Sequence, residues 1–329
     1  MIAEDASKTD MHNVVSRPTM TADSEKRYVR KIKDSGVLPR GLTFTAVVLI
    51  VLMLFTILGV IFFGGVSTVS IDFLTSPPEN GMEEGGIFPA IFGTVALVIL
   101  MVLAVVPIGV LTAVYLQEFT SSTSVWTRII RLSINNLAGV PSIVFGLFGL
   151  GFFISFVGGG LDSLFYNSSQ PVWGQPAIIW AALTLSLLTL PVVIVATEEA
   201  LRTIPRELKE ASYALGATRL QTIIRVIIPQ AMPGILTGAI LAVSRGAGEV
   251  APIMFTGAAY YLPYLPTSLN DQFMEMGYHI FVMATQSPNV EKTKPILFGT
   301  VLVLLVLTFL LNFTAVFIRS RMRRRRASN

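Results

Sequence analysis

Six long apolar runs constrain this chain more than any other feature. Each is long enough to cross a hydrocarbon core of about 30 Å as an α-helix. Charged residues make up 13% of the chain, against about 25% in ordinary soluble domains, and the mean hydropathy is +0.69. The sequence therefore predicts an all-α polytopic membrane protein with six transmembrane helices, at about residues 42–64, 88–116, 133–157, 176–197, 231–258 and 295–318.

The lysines and arginines predict the orientation of these helices. Of the 24, 21 lie before the first run, between the second and third, between the fourth and fifth, or after the sixth. Only Lys292 and Lys294 lie in the alternate loops, and Arg245 lies inside a run. Because positive charge marks the cytoplasmic side, both termini are predicted inside. Residues 1–40 are then a cytoplasmic, disordered tail, 41–318 the transmembrane domain and 319–329 a basic cytoplasmic tail.

The inner loop at residues 198–229 has a pattern of its own. Helix-forming residues lead to Leu215, Gly216 follows, and a second helix-forming run ends at Pro229. This order indicates a short helix, a tight turn and a second helix that the proline stops or kinks. Small residues near the turn would let another protein approach the backbone closely. The alternative is an ordinary amphipathic cytoplasmic loop.

This loop resembles the EAA loop of ABC-importer permeases, which docks into a cleft on an ATPase subunit. Ser212 stands where the family has its third alanine. The resemblance implies that ATPase coupling is carried by Glu210, Ala211, Ser212, Gly216, Ala217 and Pro229.

Arg245 and Glu249 form the only ionisable pair within the apolar runs. In a span covering about 231–258, Arg245 lies near the middle, where a charge costs at least about 2.5–3.5 kcal/mol unless it faces protein or water. Residues four apart share a helical face and can pair, and a guanidinium suits phosphate-like oxyanions. We expect both residues to line the substrate pathway. The alternative is an ion pair that only holds the fifth span in place.

The sequence around this pair narrows the resemblance. V-S-R-G-A-G-E-V-A-P-I-M-F-T-G, residues 243–257, is similar to the signature of phosphate importer permeases of the PstA type, with Val250 in place of the usual threonine. Similar stretches lie at residues 107–119, 139–149 and 278–288, and the resemblance covers about residues 88–318.

Several expectations follow from this resemblance. It implies the six-helix, MetI-like architecture of type I importers in a bacterial inner membrane. It also implies four kinds of partner: a second permease subunit (PstC type), two ATP-binding subunits (PstB type), an external phosphate-binding protein (PstS type) and phosphate itself. The formal charge of +4 lies in tails and loops, so nucleic-acid binding is not predicted.

The outer loop at residues 259–294 carries a helical pattern. Its large apolar residues recur at three- and four-residue steps, at Leu269, Phe273, Met276, Ile280 and Met283. They predict a short amphipathic helix at the membrane surface or across a pore mouth. His279 lies in this stretch and is expected to be a surface histidine.

The chain is not predicted to be an enzyme. It has no G-x-x-x-x-G-K-[ST] loop for ATP and no cysteine, and we expect no catalytic residue, cofactor or metal. The predicted function is that of a permease subunit in an ATP-driven phosphate importer. One alternative is the same architecture with another oxyanion or small solute as cargo. The other is a self-sufficient secondary transporter or channel, which would leave the 198–229 loop unexplained and lacks a visible internal repeat.

Overall fold

The computed structural model describes residues 37–121, 123–166 and 170–327. Residues 1–36 of the predicted N-terminal tail lie outside this range. The chain divides between Val60 and Ile61 into two units. Of the first unit, the structure describes only the apolar helix α1, which begins at Val37 and ends at Gly65 in the second.

The described part of the second unit is mostly helical. A small hairpin lies in the first outer loop, where β1 (Pro78–Glu79) pairs antiparallel with β2 (Glu84–Gly85). The α-helices after α1 are α2 (Ile71–Thr75), α3 (Phe88–Val114), α4 (Val125–Leu137), α5 (Ser142–Phe148), α6 (Gly159–Phe165), α7 (Ile178–Arg202), α8 (Arg206–Ala214), α9 (Arg219–Thr222), α10 (Ile228–Gly246), α11 (Met276–Gln286) and α12 (Val290–Ala327). Three π-helical segments extend or join them at Tyr115–Phe119, Gly149–Gly158 and Ile223–Ile227, and 3-10 turns lie at Asn80–Met82 and Ile253–Phe255.

The prediction of six transmembrane helices is confirmed. Six helical stretches of the described residues are long and apolar enough to cross a membrane. We number them spans 1 to 6 in chain order: Pro39–Gly65, Phe88–Phe119, Ser142–Phe165, Ile178–Arg202, Arg219–Gly246 and Val290–Arg321.

Span 4 is the most enclosed of the six. It packs on span 2 along one face and on span 5 along another. Small residues allow this close approach: Gly109 of span 2 lies against Val193, and Gly238 of span 5 lies against Ala196. Helices in a membrane associate through such close contacts because lipid offers little hydrophobic driving force between them. Spans 2, 4 and 5 therefore form the framework on which the functional residues are placed.

Span 3 begins later than the sequence suggested. The predicted span at 133–157 is wrong at its start, because α4 ends at Leu137 and a new helix begins at Ser142. Pro141 lies between them with an extended backbone, at φ −57° and ψ 138°. Proline has no N–H to donate within a helix, and its ring clashes with the preceding turn, so one continuous helix across Pro141 is disfavoured.

Span 5 is displaced in the opposite direction. It was predicted at 231–258, but its helix begins at Arg219 and ends at Gly246. The second helix of the inner loop and the fifth span are thus one continuous helix. The residues after Gly246 turn back toward the outer loop, where Ala177 donates its N–H to the carbonyl of Thr256 at 2.9 Å.

Helix α12 continues to Ala327, through residues predicted to belong to the basic tail. The division into tail, transmembrane domain and second tail stays a prediction.

Candidate functional site

The inner loop folds as the predicted helix and tight turn. Helix α8 ends at Ala214, and Gly216 adopts the left-handed conformation with φ +82°. The N–H of Ala217 bonds to the carbonyl of Ser212 at 3.2 Å, and that of Gly216 to Tyr213 at 2.9 Å. This is the Schellman pattern, which satisfies the last carbonyls of a helix and favours glycine because it carries no Cβ.

The second helix of the loop starts immediately after this turn. Thr218 caps α9 in a capping box: its hydroxyl accepts from the N–H of Gln221 at 3.3 Å, while the Gln221 side chain accepts from the Thr218 N–H at 2.8 Å. Of the two effects predicted for Pro229, a stop or a kink, the stop is wrong, because the helix continues to Gly246. The π-helical segment Ile223–Ile227 lies just before the proline. Its wider backbone accommodates the proline ring, which would clash with the preceding turn of an α-helix, and the hydrogen bond that proline cannot donate.

Ser212 has a contact that alanine could not make. Its hydroxyl lies 2.9 Å from the hydroxyl of Thr222, so it links the two helices of the loop.

The predicted coupling residues lie on the surface of the described structure. Glu210, Ala211 and Gly216 are exposed, whereas Ser212, Ala217 and Pro229 are half-buried. No residue of α8 is buried, and no atom lies within 4 Å of the position that a Cβ of Gly216 would occupy. The turn also presents large apolar side chains that sequence reasoning did not single out, Leu215 at 89% exposure and Leu220 at 62%.

Two buried glutamates anchor the inner ends of the helices, and sequence reasoning missed both. Glu118, at the end of span 2, lies 2.5 Å from the Nζ of Lys209 on α8. Glu198, at the end of span 4, accepts from Arg131 of α4 at 3.1 Å. Arg131 also donates to the carbonyl of Leu116 at 3.3 Å. The partners are 91 and 67 residues apart, a separation at which no local pattern reveals them.

Arg245 and Glu249 are paired in the structure. The Nε of Arg245 lies 3.4 Å from an Oε of Glu249, and the two side chains are 36% and 22% exposed. The expected mid-span position is wrong, because α10 ends at Gly246. Arg245 therefore lies in the last helical turn, and Glu249 lies beyond it.

The pair bridges the last turn of α10 and the non-helical connection after it, and both contact neighbouring elements. Gly246 packs directly against the side chain of Met101 in span 2, and Val250 lies against Gly277 of α11. The contact given for the pair is between the Arg245 Nε and the carboxylate. A guanidinium carries five N–H donors, so Arg245 can also offer donors to an anion in this half-exposed position.

Helix α11 is shorter and more buried than predicted. It begins at Met276, so Leu269 and Phe273 lie outside it, and it packs against spans 2 and 6. The expectation that His279 is a surface residue is wrong: its side chain is buried, and neither ring nitrogen has a hydrogen-bond partner. Burial lowers the pKa of His279 to about 4. Periodicity predicted the apolar face that carries Met276 and Met283, but it could not show that protein buries His279 on the same face.

Glu275 holds the start of α11. Its carboxyl group accepts from the N–H groups of Gly277 at 2.9 Å and Tyr278 at 2.7 Å. The hydroxyl of Thr94 in span 2 lies 3.5 Å from the same carboxyl group and accepts from the Met276 N–H at 3.0 Å. Burial raises the pKa of Glu275 to about 7, although these hydrogen bonds oppose the shift.

With the fold and the site described, the relationship to known proteins can be stated. Residues 105–324 match the family described as "Binding-protein-dependent transport system inner membrane component". The chain belongs to this family. It is therefore a multi-pass inner-membrane permease, one component of an importer whose binding protein and ATPase are separate chains.

Individual relatives agree with this assignment. The permease is 37% identical to a probable ABC transporter permease, YqgI, of Bacillus subtilis, over 69% of this chain and 71% of the relative. It is 31% identical to the phosphate transport system permease protein PstA of Haemophilus influenzae, over 89% of this chain and 96% of the relative.

A solved structure agrees with the fold. A chain of a bacterial alginate ABC transporter superposes with a TM-score of 0.63 at 16% identity, covering 89% of this permease and 97% of that chain. The predicted ABC-importer architecture is confirmed by this likeness, which concerns the fold alone.

Proposed function

We propose that this permease moves inorganic phosphate across the cytoplasmic membrane, driven by ATP hydrolysis in separate subunits. The observation that carries the proposal is Arg245, a half-exposed arginine at the end of span 5 that lies 3.4 Å from Glu249 through its Nε. A planar guanidinium binds phosphate oxygens through paired hydrogen bonds. Glu249 keeps the empty site near neutral. The relative from Haemophilus influenzae, whose name includes phosphate transport, supports this choice of cargo.

The inner loop at residues 198–229 is proposed to transmit the ATPase cycle. Its exposed turn offers a small, glycine-lined backbone beside Leu215 and Leu220, which suits a cleft on an ATPase subunit. Closure of the ATPase subunits would move α8 and α9, and α9 continues without interruption into span 5. The same helix that leaves the loop therefore ends at Arg245.

The proposed complex contains a second permease subunit of the PstC type, two ATPase subunits of the PstB type and an external binding protein of the PstS type. Both termini and the 198–229 loop face the cytoplasm, as the distribution of lysine and arginine favours. The chain itself performs no hydrolysis.

Reconstitution tests the proposal. A tagged chain is co-expressed with candidate partner subunits, purified, and placed in vesicles with the binding protein. We expect the ATPase to copurify, which also places its docking loop on the cytoplasmic side, and we expect ATP-dependent uptake of radiolabelled phosphate.

Competition and omission identify the rival functions. If the vesicles take up sulfate or molybdate better than phosphate, that anion is the cargo in place of phosphate. Solute uptake that persists without the ATPase would indicate a secondary transporter or channel and would contradict the proposal.

A further inference from the structure

The inner end of span 2 is tied to the loop that is proposed to contact the ATPase. The π-helical segment Tyr115–Phe119 continues α3 without a break, because Val114 and Tyr115 both keep helical dihedral angles. Glu118 in this segment meets Lys209 of α8 at 2.5 Å. The two side chains are only 7% and 21% exposed, so this pair is largely enclosed by protein.

A second contact joins the neighbouring residue of span 2 to the other helix of the loop. The guanidinium of Arg219, the first residue of α9, lies 4.5 Å from the ring centroid of Phe119. An arginine at this distance over an aromatic face gains a cation–π attraction. Consecutive residues of span 2 thus contact both loop helices, one on each side of the Gly216 turn.

Farther along, the same span touches the residue that follows Arg245. Met101 is fully buried, and its sulfur fills the space where a Cβ of Gly246 would lie. Gly246 directly follows Arg245. Since a helix rises about 1.5 Å per residue, the 17 residues from Met101 to Glu118 extend over about 25 Å. One helix therefore reaches from the loop contacts to the Arg245 site.

We propose that Glu118 and Lys209 are positioning residues that make α8 and span 2 move as one body. A displacement of the loop then reaches Arg245 through the contact of Met101 with Gly246, in addition to the direct continuation of α9 into span 5. This inference rests on the proposed function of the loop. Removing either partner leaves the other charge enclosed without compensation, which weakens the joint rather than the distant site.

A variant with two cysteines tests the contact between α8 and span 2 both when it is broken and when a cross-link restores it. The chain has no native cysteine, so Glu118→Cys with Lys209→Cys removes the ion pair and provides two reactive groups. Before cross-linking, we expect the ATPase to copurify as in the unmodified complex while phosphate uptake falls about fivefold or more, the size of a typical coupling free energy. A short reversible bifunctional methanethiosulfonate should restore uptake, and a reductant should abolish the recovery.

A matched pair on the outer side provides the control. Lys292 and Glu83 lie 3.2 Å apart, with side chains 60% and 23% exposed. Lys292→Cys with Glu83→Cys should leave uptake unchanged before and after the same treatment. Wild-type uptake in the uncross-linked 118/209 variant, or failure of the cross-link to restore uptake, would overturn the inference. Loss of the ATPase from that variant would assign the pair to docking and would also overturn it.

A readout without phosphate separates this inference from the proposed cargo. Gly248 is exposed, with open space around it, so Gly248→Cys can report on the Arg245 site through its rate of reaction with a small thiol reagent. We expect ATP to change this rate in the assembled complex, and Glu118→Gln to remove the change. If the complex takes up no phosphate but this response behaves as expected, only the cargo is wrong. If ATP still changes the reaction rate in Glu118→Gln, the inferred link between α8 and span 2 is wrong, whatever the cargo is.

Discussion

The ion pair at the inner loop and the ion pair at the end of span 5 are built in contrasting ways. Lys209 and Glu118 come from segments 91 residues apart, meet at 2.5 Å and are largely enclosed. Arg245 and Glu249 are four residues apart, lie at 3.4 Å and remain partly exposed. The first pair joins two separate elements of the fold. The second joins residues four apart at the end of one helix.

This difference distinguishes a joint from a binding site. Breaking an enclosed pair leaves an uncompensated charge, which is strongly unfavourable. A partly exposed pair contributes little to stability, because water can solvate either partner. On the proposed function, the enclosed contact lies where a movement of the loop would be transmitted. The partly exposed contact lies where an anion would have to compete with a carboxylate.

The largest effect is expected from Arg245→Gln. Glutamine keeps hydrogen-bonding capacity but loses the charge that attracts phosphate, so ATP-driven uptake should disappear while the subunits still assemble and hydrolyse ATP. Uptake in vesicles and copurification of the ATPase measure the two properties separately.

A double variant decides whether the Arg245 pair is itself only a joint. Arg245→Gln with Glu249→Gln removes both charges, so no unpaired carboxylate remains. We expect normal assembly and no uptake. Recovered uptake would show that the pair serves structure, and the contrast between the two pairs would then fail.

A smaller effect, on coupling rather than on the site, is expected from Gly216→Val. A branched side chain in the left-handed conformation at φ +82° costs about 1–3 kcal/mol and places atoms where the ATPase must approach. Docking and phosphate-stimulated hydrolysis should fall together. Gly216→Asn is the matched control, since asparagine tolerates this conformation and should retain most activity. Normal phosphate-stimulated hydrolysis and uptake in Gly216→Val would mean that the loop is not the coupling element.

The smallest effect concerns Glu275, which packs near the site but pairs with no cation among the described residues. Its pKa is raised from 4.5 to about 7 by burial, so its contribution to stability is complete below pH 4.5 and is lost as the pH rises through 7. Glu275→Gln should therefore gain stability relative to the native chain between pH 5 and 7, by at most about 1.4 kcal/mol per pH unit.

Thermal unfolding of the purified chain in detergent at several pH values measures this difference. His279 has the opposite dependence, because its pKa is lowered to about 4; its contribution is present above pH 6.5 and is lost as the pH falls through 4. The contribution of His279 is the same in the native and Glu275→Gln chains, so it cancels when their stabilities are compared. Glu84→Gln, at an exposed carboxylate, should show no such trend. A constant difference between native and Glu275→Gln chains would mean that the buried carboxyl group does not titrate in this range.

The local features of the chain could be predicted from its sequence. Apolar runs indicated six spans, and a glycine after a helix-forming stretch indicated the turn at Gly216, because both depend on neighbouring residues. The spacing of Arg245 and Glu249 likewise indicated their pairing. Whether that pair serves phosphate stays a prediction.

Features that depend on tertiary packing could not be predicted in the same way. The pairing of Lys209 with Glu118 requires the end of span 2 to return beside α8, and the sequence does not indicate this. His279 is buried on one face of α11 together with Met276 and Met283, and only tertiary packing decides that this face is covered by protein. The ends of spans 3 and 5 were misplaced because hydropathy continues across Pro141 and past Gly246, whereas the helices do not.

The sequence separation of Lys209 and Glu118 also determines when their contact can form during synthesis of the chain. Glu118 leaves the ribosome 91 residues before its partner, and synthesis proceeds at about 5–20 residues per second, a delay of roughly 5–20 s. During that interval spans 3 and 4 are synthesised while the Glu118 carboxylate is still without its lysine. The contact between span 2 and α8 can therefore form only after the first four spans have been made.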